Sequence, residues 1–262
     1  MHIVIFTGGE CPEPSLTEAY FSSRKPDFVI AADSGILSLE QYDAHFGGIF
    51  THGGNAPDAI LGDMDSLSGK GAKDALKKYP AERIQRFVED KDYTDTELAL
   101  DYAHKIVAGK GISTETNARK KADAHWITLV GAGGGTRVDH FLGVFDLFAT
   151  DLRPDAWLCG EQALWYAPQG MVFSVDGLEL RDMVSVARTS AARTGGSVAS
   201  DGLLWESGLF RAEGMPSISN RIKPAFFDAQ KPVTIEVREG EFVLILPTKA
   251  KVSVHAHNAQ GI

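Results

Sequence analysis

The stretch Asp58-Ala59-Ile60-Leu61-Gly62-Asp63-Met64-Asp65-Ser66 joins an apolar run to two aspartates set one residue apart. The apolar residues read as a buried strand that stops just before the pair. A strand alternates its faces, so carboxylates at 63 and 65 can point the same way. Like charges at one spot repel unless a cation lies between them. Magnesium takes oxygen ligands from one or two carboxylates and shares its other positions with water and substrate phosphates. The pair therefore points to phosphate chemistry. Taken alone, Gly-Asp-x-Asp-Ser is equally an ordinary polar turn.

Three further apolar runs end in polar or glycine-rich turns. Residues 3–6 lead into Thr7-Gly8-Gly9, residues 28–32 into Asp33-Ser34-Gly35, and residues 126–130 into Gly131-Ala132-Gly133-Gly134-Gly135. These runs are apolar on both faces, as strands covered by helices on both sides are. Helical patterns lie between them. Over 95–107, Leu98, Tyr102 and Ile106 make a stripe at four-residue spacing, with Ala99 and Ala103 beside it. Thr94-Asp95-Thr96-Glu97 is a capping box at its start. A second helix is expected over 138–148. This alternation predicts an α/β domain with a mostly parallel sheet. Residues 47–55 and 109–124 read as loops, the latter as a mobile surface connection.

The pattern changes after Pro168. Short strand-like runs at 171–175, 183–187, 203–205, 233–237 and 242–246 are separated by Gly, Ser and Asp turns, with no convincing helix between them. An all-β sandwich or small barrel is expected. The boundary is placed near Gly170, giving units 1–169 and 170–262.

Composition narrows the function. At 262 residues and 44% hydrophobic, the chain can build a sizeable core. Its net charge of −9 argues against nonspecific nucleic-acid binding, which needs Lys and Arg to neutralise phosphates. Cys11 and Cys159 have no metal-ligand spacing, and a reducing cytoplasmic setting is the simplest reading. No basic leader or cleavage site marks the first residues, so no signal peptide is expected. No apolar stretch approaches membrane-spanning length.

Ligands of an open parallel sheet bind at the carboxyl ends of its strands. The polar motifs fall there: Asp33, then Asp63 and Asp65, then Arg137, Asp139 and His140 beyond the glycine-rich turn, with Lys91-Asp92 just before the capped helix. Each has an ordinary reading as a cap, a turn or a solvated charge. Their convergence at one edge favours a site for metal ions and a polyphosphate.

Ala32-Asp33-Ser34-Gly35, Pro57-Asp58-Ala59-Ile60-Leu61-Gly62-Asp63-Met64-Asp65-Ser66, Lys91-Asp92-Tyr93-Thr94-Asp95-Thr96-Glu97-Leu98-Ala99-Leu100 and Gly134-Gly135-Thr136-Arg137-Val138-Asp139-His140 resemble, in order, the motifs of the thiamine pyrophosphokinase family. Ser219-Asn220 resembles that family's substrate-contact motif. The resemblance implies pyrophosphoryl transfer from ATP to thiamine, giving thiamine diphosphate and AMP. It implies magnesium held by Asp63, Asp65 and Asp95, and ATP contacts from Ser66, Lys91 and Arg137. Catalytic roles would fall to Asp33, Asp92 and Asp139, and substrate contacts to Asp139, Ser219 and Asn220. It also implies a homodimer whose active sites lie between the ATP- and magnesium-binding α/β domain (1–169) of one subunit and the thiamine-binding β domain (170–262) of the other. Trp205, Phe226 and Phe227 are candidates for an aromatic wall against cationic thiamine. The chain departs from the pattern at Ser34, where glycine is usual, at the additional Thr136, and at Val144, near the place of a customary Asn. The competing readings are a magnesium-dependent phosphohydrolase or nucleotide-sugar transferase, and a nonenzymatic nucleotide-binding regulator.

Overall fold

The computed structural model describes residues 1–62, 76–86, 93–109, 125–134, 137–188, 195–206 and 217–257. In chain order the strands are β1 His2–Phe6, β2 Phe28–Ala32, β3 Ala59–Gly62, β4 Ile84–Arg86, β5 Trp126–Val130, β6 Ala156–Cys159, β7 Gln162–Pro168, β8 Met171–Asp176, β9 Val184–Ala187, β10 Ser197–Asp201, β11 Ser217–Asn220, β12 Val233–Glu239, β13 Glu241–Pro247 and β14 Lys251–Ala256. The helices are α1 Glu18–Ser23, α2 Gly35–His45, α3 Asp95–Gly109, α4 Val138–Leu147 and α5 Pro224–Asp228.

A ten-stranded sheet runs β11-β9-β13-β7-β6-β5-β1-β2-β3-β4. Its six strands from β4 to β6 are parallel. From β7 onward the pairing is antiparallel. A second, four-stranded antiparallel sheet has the order β10-β12-β8-β14.

The central strands are buried along their whole length because both faces are covered. Val4 and Phe6 face the side packed by Tyr20 and Phe21 of α1 and by Ile36, Leu39 and Tyr42 of α2. Ile3 and Ile5 face the side packed by Ala99, Leu100 and Ala103 of α3 and by Val144 and Leu147 of α4. The first of these faces continues into the sandwich. There Trp165 and Leu244 of the large sheet belong to one core with Phe173, Val175 and Ile235 of the small one.

The sequence pattern located β1, β2, β3, β5, α3 and α4 to within two residues. Downstream, the chain leaves the large sheet after β7 and enters the small one at β8, and the turn between them carries Gly170. Strands β9, β11 and β13 then return to the large sheet, so it extends on both sides of residue 170. Residues 203–205 are not a strand: Leu203 makes only an isolated bridge to Ile222, and Trp205 is exposed. Residues 47–55 do form a loop, and it is tightly held. The Asp43 carboxylate accepts the N–H groups of Phe50 and Thr51 at 2.8 and 3.0 Å, and Phe50 is fully buried. Residues 110–124 lie outside the described set. Among the described residues no helix is long and apolar enough to cross a membrane.

Candidate active site

Strand β1 is flanked by β2 on one side and β5 on the other. The chain winds from β1 outward to β4, then returns to β5 on β1's opposite side. That reversal is the topological switch point, where the loops after neighbouring strands diverge and leave a crevice. A cleft of about 620 Å³ opens there. It is walled by the β1 exit (Thr7, Gly8, Gly9), the β2 exit (Asp33, Ser34), the α3 start (Tyr93 to Glu97), the β5 exit (Ala132 to Gly134) and the α4 start (Arg137, Asp139, His140). Helix N-termini with their unpaired N–H groups suit a phosphate-bearing ligand.

Each polar group is held by local chemistry. The α3 start is fixed by its capping box: Thr94 N–H donates to Glu97 Oε2 at 2.8 Å, and Glu97 N–H donates to Thr94 Oγ1 at 3.2 Å. This places Asp95 in the first turn, where the helix dipole favours a carboxylate. Asp33 is buried at φ 49°, in the left-handed region that Asp tolerates better than most residues. Its N–H donates to the Leu61 carbonyl at 2.8 Å, tying the β2 exit to β3. The left-handed turn falls on Asp33. Ser34, at φ −64°, has ordinary geometry and needs no glycine.

Arg137 and Asp139 form a bidentate ion pair. Nε donates to Oδ1 at 2.9 Å and Nη2 donates to Oδ2 at 2.6 Å. Both side chains are exposed. The Arg137 hydrogen bonds hold the Asp139 carboxyl well below the usual carboxylate range, and the same pair raises Arg137. The cleft thus brings together Asp33, Asp95, Arg137 and Asp139, four of the residues singled out in the sequence. Asp63, Asp65, Ser66, Lys91, Asp92 and Thr136 lie outside the described residues. Val144, noted in the sequence as a departure from the family pattern, also lines the cleft but is buried in the α4 packing.

Ser219 and Asn220 are elsewhere. They end β11, the edge strand five positions from β5 in the sheet order, which at ordinary strand spacing is about 24 Å away. Asn220 is buried and its amide is engaged locally. Its Oδ1 accepts the N–H of Trp205 at 3.2 Å and that of Arg221 at 2.9 Å, and its Nδ2 donates to the Trp205 carbonyl at 3.0 Å. Asn220 therefore fixes the backbone of Trp205, whose side chain is 53% exposed. Phe226 and Phe227 line a second cavity beside residues 175–179 and not the cleft.

The sequence profile of the thiamin pyrophosphokinase catalytic domain matches residues 22–156, just over half of the chain. The chain belongs to the thiamin pyrophosphokinase family. Solved structures agree at the level of fold. A thiamin pyrophosphokinase family protein from Enterococcus faecalis superposes with a TM-score of 0.64 at 17% identity, covering 94% of this chain and 99% of that one. The thiamin pyrophosphokinase of Geobacillus thermodenitrificans gives 0.62 at 21% identity, with 94% and 97% covered. That of Bacillus subtilis gives 0.59 at 20% identity, with 94% and 99% covered. None of the curated proteins matches the chain.

Membership bears out the resemblance drawn from the four motifs. The matched segment contains the β2, α3 and α4 contributions to the cleft. The β1 exit precedes it, and sequence reasoning had assigned no ligand role to Thr7, Gly8 or Gly9. Their signal was present: a buried strand that ends in Thr-Gly-Gly and takes the central place in the sheet.

Proposed function

We propose that the chain transfers a pyrophosphoryl group from ATP to thiamine, giving thiamine diphosphate and AMP. The observation that carries this reading is the convergence of Asp33, Asp95, Arg137 and Asp139 on one cleft at the switch point of a thiamin pyrophosphokinase-family chain. Arg137 supplies a planar donor fork suited to phosphoryl oxygens, and it can exchange its Asp139 partner for them. Helix α3 presents its N-terminal N–H groups to the same space. Asp33 and Asp139 supply the acceptors that can orient the attacking hydroxyl.

Magnesium fits the donor chemistry. Asp33, Asp95 and Asp139 offer hard oxygen ligands, although among the described residues no set of three metal-binding side chains gathers. Asp63, Asp65 and Asp95 would hold the ion, with Asp92, Lys91 and Ser66 beside the triphosphate. When bound, magnesium neutralises triphosphate charge and aligns it for in-line attack.

The distance along the sheet between the cleft and Ser219-Asn220 supports a homodimer in which the partner brings its β region to the cleft. An isologous two-fold pairing achieves this at two sites at once. In that arrangement Asn220 acts through Trp205, an exposed ring suited to thiamine's cationic thiazolium ring. Both cysteines are free, which suits the cytoplasmic setting proposed for the enzyme.

Incubation with ATP, magnesium and thiamine tests the reading. AMP and thiamine diphosphate should appear together in equal amounts. Release of ADP or free phosphate without thiamine diphosphate would favour the phosphohydrolase alternative and overturn the proposal.

A further inference from the structure

Glu10 lies just beyond the β1 exit and outside the set of cleft-lining residues. It nevertheless touches two of the other loops that shape the sheet edge. Its N–H donates to the Gly133 carbonyl at 2.7 Å, and its carbonyl accepts the Gly160 N–H at 3.0 Å. Just upstream, Thr7 N–H donates to the Val130 carbonyl at 2.9 Å, and Ala132 N–H to the Gly8 carbonyl at 2.7 Å. Residues 7–10 therefore prolong the β1–β5 pairing past the ends of both strands.

The side chain completes the lock. A Cβ at position 134 would stand 2.4 Å from Glu10 Oε2 and 2.5 Å from its Cβ. A Cβ at position 160 would stand 3.2 Å from Oε1. Both positions also have positive φ, 82° and 55°. The Glu10 carboxylate thus lies across two backbone segments: a side chain at 134 would collide with it, and one at 160 would crowd it. One is the last described residue of the turn that leads to Arg137. The other is the β6–β7 turn.

We propose that Glu10 is a positioning residue for the nucleotide subsite. By filling the slot between Gly134 and Gly160, it fixes the path of the glycine-rich turn and hence the entry to Arg137. The proposal rests on the cleft being the ATP site. Small displacements of such supporting groups are costly because transfer demands a narrow geometry.

The test compares Glu10→Ala, which empties the slot, with Glu10→Gln, which keeps it filled. In Glu10→Ala, KM for ATP should rise about tenfold while kcat stays within about twofold and KM for thiamine is unchanged. Glu10→Gln should restore most of the ATP affinity. Hydrogen exchange at the amides of Ala132 and Gly160 should accelerate in the alanine variant and not in the glutamine variant. A lower melting temperature with unchanged KM and unchanged exchange would reduce Glu10 to a space-filler and overturn the proposal. If the wild type made no thiamine diphosphate, the proposed reaction would fall. The exchange comparison and calorimetric titration with ATP would still decide the role of Glu10.

Discussion

The two ends of the parallel sheet carry similar residue types in opposite circumstances. At the carboxyl end the ion pair Arg137–Asp139 stands in solvent at the rim of a cleft. At the amino end the polar groups are sealed in. His2 Nε2 lies 2.8 Å from Thr128 Oγ1, which lies 2.5 Å from the Tyr20 hydroxyl, and that hydroxyl accepts the Trp126 indole N–H at 3.0 Å. Asp155 Oδ2 accepts the Ile127 N–H at 2.7 Å, and the Arg24 guanidinium sits 4.2 Å from the centre of the Trp126 ring. Burial pushes the Asp155 carboxyl up to about 6 and the His2 imidazole down to about 4. Perturbed titration often marks function. Here the large shifts at this end come from desolvation among groups whose hydrogen bonds pin the starts of β1 and β5. The proposed site is marked instead by the position of its side chains beside a cavity at the switch point.

The contrast breaks most visibly at Asp95. Asp95→Asn should reduce thiamine diphosphate formation by at least about a hundredfold, since it removes a charge from the proposed site for metal and polyphosphate. Its cost in stability should be only about 0.5 kcal/mol, the scale of a helix-dipole contact. Parallel steady-state assays and thermal melts check this. A near-normal rate would make Asp95 a helix-terminus residue and nothing more.

The amino end should respond the other way, in stability and not in turnover. Above pH 3.8 an unfolded chain releases the Asp155 proton that the fold retains, so this group lowers stability as pH rises toward about 6. Below pH 6.5 an unfolded chain takes up a proton that buried His2 refuses, so this group lowers stability as pH falls toward about 4. The two slopes oppose each other across the same window, each amounting to about 3 kcal/mol. Denaturant titrations of the wild type between pH 4 and 6.5 should therefore show a shallow dependence from this pair. Asp155→Asn should unmask a stability that climbs with pH over that range, with kcat unchanged. A flat profile in the variant would mean that His2 is not shielded as the structure has it.

What was legible in the sequence divides along similar lines. Strands β1, β2, β3 and β5 announce themselves because burial on both faces leaves continuous apolar runs, and α3 because stripe and capping box are local signals. Strand β11 has only Asn220 buried, so no apolar pattern exists to find. Strand β14 alternates Val252 and Val254 with polar neighbours and was within reach. The return of β13 to pair with β7 is nonlocal and leaves no trace in either segment. In the site, side chains with chemistry were found, and backbone contributors such as Gly8 and Gly9 were not. Glu10 escaped notice because its role depends on two distant glycines, at 134 and 160. Asn220 was marked as a substrate contact, and its hydrogen bonds to the Trp205 backbone were hidden while 203–205 read as a strand.

The sharpest form of the comparison uses one residue type at both ends. Asp139 and Asp155 are both aspartates with shifted carboxyls, one lowered by Arg137 and one raised by burial. Asp139 is exposed, and an exposed pair loses to side-chain entropy and solvent screening most of what it gains from charge. Asp139→Asn should therefore leave the melting temperature unchanged at low and at high salt. Its acid-range stability profile should also overlay that of the wild type, because solvent takes over what Arg137 provided. Turnover should fall, since the cleft loses an acceptor. If Asp139→Asn instead melts earlier, and the loss vanishes in high salt, then the pair is a brace for the α4 start. The carboxyl end of the sheet would then be organised like the amino end, by its own hydrogen bonds, with Arg137 unavailable to an incoming phosphate.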